Sequence, residues 1–177
     1  WRNWSIGYNN GDADSYAEFN DSAWLANQGS GGLFTAKPTS TMLTLTDYSA
    51  INASGKAVIV YSFANVEGFI KSGSYTGNAS TDGTFVYTGF RPAWLMIKRA
   101  NGAESWFVMD DKRDTYNVVE GVMQVNGGNP ESTADYDALD MLSNGFKLRL
   151  SGVGFNGAET YVYLAFAKNP FQYATAR

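Results

Sequence analysis

Residues Ala93-Trp94-Leu95-Met96-Ile97-Lys98-Arg99 alternate strictly: Leu95 and Ile97 fall on one side, Trp94, Met96 and Lys98 on the other. A period of two belongs to a strand, because successive side chains of an extended chain point to opposite faces. Asn101-Gly102 follows at once and is a tight hairpin signal, with Glu104–Met109 returning as the partner strand. Outward from this hairpin the same signature recurs. Phe146-Lys147-Leu148-Arg149-Leu150 alternates inside and outside, Thr160–Ala167 reads as a closing strand, and Ser72–Tyr75 and Thr84–Thr88 read as shorter ones. Met42–Thr46 places Leu43 and Leu45 on one face, and the mostly apolar run Ala57–Phe63 reads as a central strand buried on both sides. Gly89-Phe90-Arg91-Pro92 is a turn fixed by its proline. Only Tyr136–Leu142 has the pattern of a short helix. Strands at this spacing predict an all-β fold, an antiparallel β-sandwich or jelly roll.

The chain also repeats itself. Asn52–Ala64 and Asn156–Ala167 both run from an Asn/Gly/Ala loop into an apolar strand ending Phe-Ala. Phe63 and Phe166 lie 103 residues apart, and the same offset joins Leu43 to Phe146 and Leu45 to Leu148. Trp1 then corresponds to Trp106 with a small shift. Two related units are expected: residues 1–67 as the later strands of a first, N-terminally incomplete one, and residues 68–177 as a complete second. A start on Trp1-Arg2-Asn3-Trp4, with no initiating Met, is the start expected of a piece of a longer polypeptide.

Composition sets the outer bounds. Charged residues make up 17 % of the 177 residues and aromatics 15 %, with 19 glycines, as suits a turn-rich β protein. The net charge of −4 argues against a nucleic-acid binder, which needs a basic face, and against docking on anionic membranes. No apolar run approaches a membrane-spanning length. The chain has neither Cys nor His, so disulfides, thiolate chemistry, Ser-His-Asp triads and His-ligated metals are out of its reach. Oxygen-ligand ions such as Ca²⁺ stay open as the single cofactor class.

Few residues carry a chemical signature. Gly152-x-Gly154-x-x-Gly157 has dinucleotide spacing, but it lies between two strands, where it reads as a β-turn. Asp135 and Asp137 would share a strand face, as a glycosidase carboxylate pair does; the bland alternative, a solvated acidic loop, is favoured, and no catalytic residue is assigned. Asp110, Asp111 and Asp114 crowd one loop as weak Ca²⁺ ligands, with Arg113 there to neutralise them. Asp12 and Asp14 lie in a second loose oxygen cluster. For stacking on a sugar ring the aromatic candidates are Trp24, Tyr16, Tyr116 and Trp94. Trp1, Trp94 and Trp106 sit in strands and are assigned to the core, which leaves Trp24 as the exposed one.

Three stretches together form a recognisable string: Gly68-Phe-Ile-Lys-Ser-Gly-Ser-Tyr-Thr-Gly-Asn78; Phe85-Val-Tyr-Thr-Gly-Phe-Arg-Pro-Ala-Trp-Leu-Met-Ile-Lys-Arg99; and, after Trp106, Tyr161-Val-Tyr-Leu-Ala-Phe-Ala167 with Asn169-Pro-Phe171. The string resembles a tandem β domain of unassigned function found in tail-fibre-like and other virion proteins of tailed bacteriophages. That resemblance implies a non-enzymatic virion protein on the tail or capsid surface, exposed outside the cell. Its implied partners are other virion proteins, further copies of itself with a homotrimer favoured, and a host-surface glycan. The ligand-contacting residues would then come from Asp12, Asp14, Tyr16, Trp24, Tyr116, Asp135 and Asp137. The alternatives are a capsid decoration or other purely architectural part, and a carbohydrate-active enzyme.

Overall fold

A computed structural model describes residues 5–7, 15–18, 26–27, 34–36, 38–47, 52–55, 57–131 and 137–170. Among them there is no helix, and every strand pairing is antiparallel. Three short strands, β1 (Ser5–Gly7), β2 (Ser15–Glu18) and β3 (Ala26–Asn27), form one small sheet in that order. The remaining strands are β4 (Ile70–Thr76), β5 (Phe85–Tyr87), β6 (Pro92–Arg99), β7 (Trp106–Asp110), β8 (Met123–Gln124), β9 (Leu139–Leu142), β10 (Gly145–Leu148) and β11 (Thr160–Ala167). They make a five-stranded sheet, β4-β11-β6-β7-β8, and a three-stranded sheet, β5-β10-β9.

These two sheets pack face to face as a β-sandwich, and alternation decides what each presents. From the larger sheet Tyr75, Leu95, Ile97, Phe107, Met109, Tyr161, Tyr163 and Ala165 point inward; from the smaller come Val86, Leu139, Met141, Phe146 and Leu148. Phe146 bridges the layers, with its ring centroid 5.9 Å from Tyr75 and 5.4 Å from Tyr163, both edge to face. Such pairs add about 0.5–1.5 kcal/mol each beyond simple area burial. The far face of the larger sheet is covered as well: Lys98, Trp106, Val108 and Val162 are all buried. Strands β6, β7 and β11 therefore carry buried residues on both faces around Lys98, Trp106 and Val162, while Trp94, Met96, Leu164 and Phe166 on the outer face are half-buried.

The core tyrosines carry their hydroxyls to main-chain acceptors. Tyr75 donates to the Phe155 carbonyl at 2.5 Å and Tyr161 to the Val153 carbonyl at 2.7 Å. Both acceptors belong to the glycine-rich segment after β10. That segment is a turn, closed by the Phe155 and Asn156 N–H groups donating to the Gly152 carbonyl. Asn156 is fully buried and ties this turn to the loop after β4, accepting from Asn78 N at 3.1 Å and donating to Asn78 Oδ1 at 2.9 Å and to the Ser80 carbonyl at 2.8 Å.

Three expectations are corrected. Residues 139–142 form β9, not a helix: their main chain ladders with β10, and Leu139 and Met141 are buried opposite Leu148 and Phe146. The run Ala57–Phe63 joins no sheet among the described residues, and Val58, Ile59, Val60, Tyr61 and Phe63 are exposed. The β6–β7 hairpin exists, but its last register pair is Lys98 with Trp106, so its loop is longer than a two-residue turn. In the segment 42–46, Leu45 bridges to Phe34 while Leu43 stays exposed. No helix among the described residues is long and apolar enough to cross a membrane.

Candidate functional site

Phe85-Val86-Tyr87 is a three-residue strand with Val86 in the core, so pleating turns both flanking aromatics outward. Phe85 is 45 % exposed and Tyr87 63 %. The chain after Tyr87 turns sharply. Gly89 takes φ = 87°, a left-handed conformation that favours glycine, and Thr88 Oγ1 donates to the Phe90 carbonyl at 2.6 Å. The turn brings Gly89 back beside the Tyr87 ring, where an added Cβ would lie 3.7 Å from the phenol oxygen. Tyr87 thereby forms one wall of a groove of about 390 Å³, whose other lining residues include Asn65, Val66, Glu67, Ile70 and Lys71.

The opposite wall is built by a tight turn. Val66 N donates to the Ile70 carbonyl at 2.9 Å, and Ile70 N donates to the Val66 carbonyl at 3.0 Å. One residue earlier, the Asn65 amide takes the place of a neighbouring strand. Its Oδ1 accepts from Ser72 N at 2.6 Å and its Nδ2 donates to the Ser72 carbonyl at 3.3 Å. Asn117 repeats the device on the smaller sheet, accepting from Met141 N at 3.0 Å and donating to the Met141 carbonyl at 3.1 Å. With Asn65 committed, the groove offers Glu67 and Lys71, neither ion-paired to another described residue. An aromatic face beside one anion and one cation suits a ligand that is apolar on its faces and polyhydroxylated at its rim. The volume lies within the range of about 300–1,000 Å³ common to small-molecule sites.

Beside the groove, Lys147 stands opposite Phe85 in register and ion-pairs with Asp82. The hydrogen bond and charge of Lys147 hold the Asp82 carboxyl below its usual range. Asp140 and Arg149 form a second pair on the same outer face, at 2.5 Å.

The residues singled out from sequence lie elsewhere. Tyr116 is 84 % exposed and Asp137 is exposed, and neither lines the groove. Asp12, Asp14, Trp24, Asp135 and Trp1 fall outside the described residues, and Tyr16 is described only as backbone of β2. Trp94 is half-buried on the outer face of its sheet, with its ring centroid 5.5 Å from that of Phe166.

The three loop aspartates each have a different employer. Asp110 accepts from Lys112 N and Arg113 N, both at 2.9 Å, and pairs with the Arg113 guanidinium at 2.7 Å. Partial burial pushes its carboxyl up, but the hydrogen bonds of Arg113 and Lys112 and the charge of Arg113 prevail and hold it below the usual range. Asp111 is buried, with Lys168 Nζ 2.9 Å from its Oδ2 as a charge pair without an aligned hydrogen bond. Asp114 Oδ2 accepts from Glu120 N at 2.9 Å and also from Gly121 N. Among the described residues no three carboxylates converge as a metal site.

Tyr87, Glu67 and Lys71 were not legible as a site. The available signal was the aromatic–Val–aromatic alternation of 85–87, which means one face of β5 must carry two exposed rings. No curated protein and no solved structure matches the chain. A family model described as a Domain of unknown function (DUF7483) matches residues 1–170, and the chain belongs to that family.

Proposed function

We propose that this chain is a non-enzymatic attachment module of a phage virion, from a tail fibre or other surface appendage, and that it binds host-surface glycan in the groove walled by Tyr87. The observation that carries the binding half is the exposed Tyr87 ring lining one groove together with Glu67 and Lys71. A sugar ring presents an apolar face for stacking and equatorial hydroxyls for the charged rim. The virion half is supported by the sequence string from Gly68 through Phe171. Weak single-site affinity would be raised by repetition across an oligomer such as a trimer.

The test is a glycan array probed with the assembled protein, followed by titration of any hit against Tyr87→Ala. A hit weakened at least about tenfold by Tyr87→Ala, roughly 1.4 kcal/mol, supports the reading. No hit, or a hit indifferent to Tyr87, sinks it.

A purely architectural role in the capsid or tail is the second reading, favoured by the exposed apolar run Val58–Phe63. Immunogold labelling of intact particles distinguishes the two, since attachment requires placement at a host-facing surface.

A further inference from the structure

Phe85 is the second outward ring of β5, and the groove walled by Tyr87 makes no use of it. Pleating puts the two residues on one side of the sheet, about 6.8 Å apart along the strand. The Phe85 ring does not stand up from its strand. It leans across to β10, where a Cβ built on Gly145 would lie 3.1 Å from its Cε2 and Cζ atoms, although the register partner of Phe85 is Lys147 and that of Gly145 is Tyr87. A glycine at 145 gives the ring a floor of main chain. Gly145 is buried and Phe85 is exposed, so one face of the ring rests on the sheet and the other is open.

The charged side chains around this ring are spent on one another. Lys147 is paired with Asp82, and Arg149 with Asp140 on the same outer face. The ground at Phe85 is therefore apolar in the middle and balanced in charge at its margin. In the groove, by contrast, Glu67 and Lys71 stand without an ion pair to another described residue. The occupant that fits Phe85 has an apolar face and no net charge. A protein partner needs more: two aromatics of at most about 250 Å² each fall short of the roughly 800 Å² that each side of a stable protein interface buries.

We propose that Phe85 is a second stacking subsite, so that the site takes a glycan chain of two or more pyranose units and not a lone terminal sugar. One unit lies on Tyr87 with its hydroxyls toward Glu67 and Lys71; the adjoining unit, a neutral one, lies on Phe85 and is held by its apolar face alone. The inference rests on the reading of the Tyr87 groove as a glycan site and adds to it the length of the ligand and the charge of its second unit. Residues i and i+2 of one strand face suit this division, because a ring stacked on Tyr87 leaves Phe85 free for its neighbour.

The test titrates neutral mono- to hexasaccharides of glucose, galactose, mannose and N-acetylglucosamine into the protein, followed by NMR chemical shifts. In at least one series the affinity should rise by about fivefold or more from monosaccharide to trisaccharide, the yield of one added aromatic contact. Phe85→Ala and Phe85→Leu should both erase that rise and leave the monosaccharide affinity as it was, Phe85→Trp should keep the rise, and Tyr87→Ala should weaken every length. Phe85→Leu retains an apolar cover over Gly145, which separates stacking from packing. A rise that survives in Phe85→Leu, or no dependence on length, overturns the second subsite and leaves the Tyr87 reading standing. Binding indifferent to Tyr87 overturns both. No binding in any neutral series also overturns the subsite, and a Tyr87-dependent hit among acidic glycans on the array would then show that the groove reading survives without it.

Discussion

Tyr75 and Tyr161, register partners on β4 and β11, lie stacked with ring centroids 5.1 Å apart and planes inclined by 15°. Both phenols are neutral donors to buried carbonyls, so ionising either would place a charge in the core. Burial pushes the Tyr161 phenol up to about 12, and burial, with the neighbouring Tyr161, pushes Tyr75 well above its usual 10.0.

Alkaline sensitivity follows. In the unfolded chain both phenols begin to ionise near pH 10, while in the folded protein they keep their protons to higher pH. Over that window the unfolded state holds fewer protons, so stability falls as pH rises from about 10 to about 12, by at most about 1.4 kcal/mol per pH unit for each tyrosine. Urea denaturation at a series of pH values checks this. Tyr161→Phe should halve the slope, and it should cost about 1 kcal/mol at neutral pH through the lost bond to Val153. An identical slope in the variant would refute the assignment.

Asn156→Ala should be among the most damaging polar substitutions. It strips the Ser80 carbonyl and the Asn78 main-chain N–H of a partner whose own side chain is fully buried. Each buried group left unmade costs about 1–3 kcal/mol. The expected loss is therefore about 2–5 kcal/mol, read from the denaturation midpoint. Asn156→Asp should not recover it, since a buried carboxylate oxygen would face the Ser80 carbonyl and Asn78 Oδ1, both acceptors.

Gly145→Ala and Gly128→Ala should separate cleanly. A Cβ at Gly145 would collide with the Val86 carbonyl oxygen and lie 3.1 Å from the Phe85 ring, whereas one at Gly128 meets nothing within 4 Å. The first change should destabilise by about 1–3 kcal/mol as overpacking does, and it should also disturb any ligand read through Phe85 or Tyr87. The second should shift stability by less than about 0.5 kcal/mol. Paired thermal melts decide it.

Legibility in the sequence followed how far a residue's fate was local. Ala93–Arg99 and Thr160–Ala167 were legible because long alternation has a single strand solution, and β11 matches its expected bounds. Residues 139–142 were misread because Ala138, Leu139, Met141 and Leu142 satisfy helical and strand spacing alike; only pairing with β10 breaks the tie. Ala57–Phe63 had a strand's composition, but a strand also needs neighbours, and composition does not supply them. At the groove, Phe85 and Tyr87 were not singled out, because a short strand does not announce which of its faces is covered. The amide clamps of Asn65 and Asn117 left no trace, since each acts on a main-chain group seven or 24 positions away.

Those two clamps govern how the molecule behaves in company. The outward N–H and C=O groups of β4 are taken by Val66 at Ile70 and by Asn65 at Ser72; at β9 Val119 N donates to the Leu139 carbonyl, the Val119 carbonyl accepts from Ala138 N, and Asn117 takes both groups of Met141. On β4 the alternation leaves Ser74 and then Thr76 facing outward, with the Thr76 carbonyl taken by Thr84 Oγ1, too short a template for another chain's strand. At high concentration the protein is thus spared runaway fibre growth along these two margins, and any self-assembly must proceed through other surfaces.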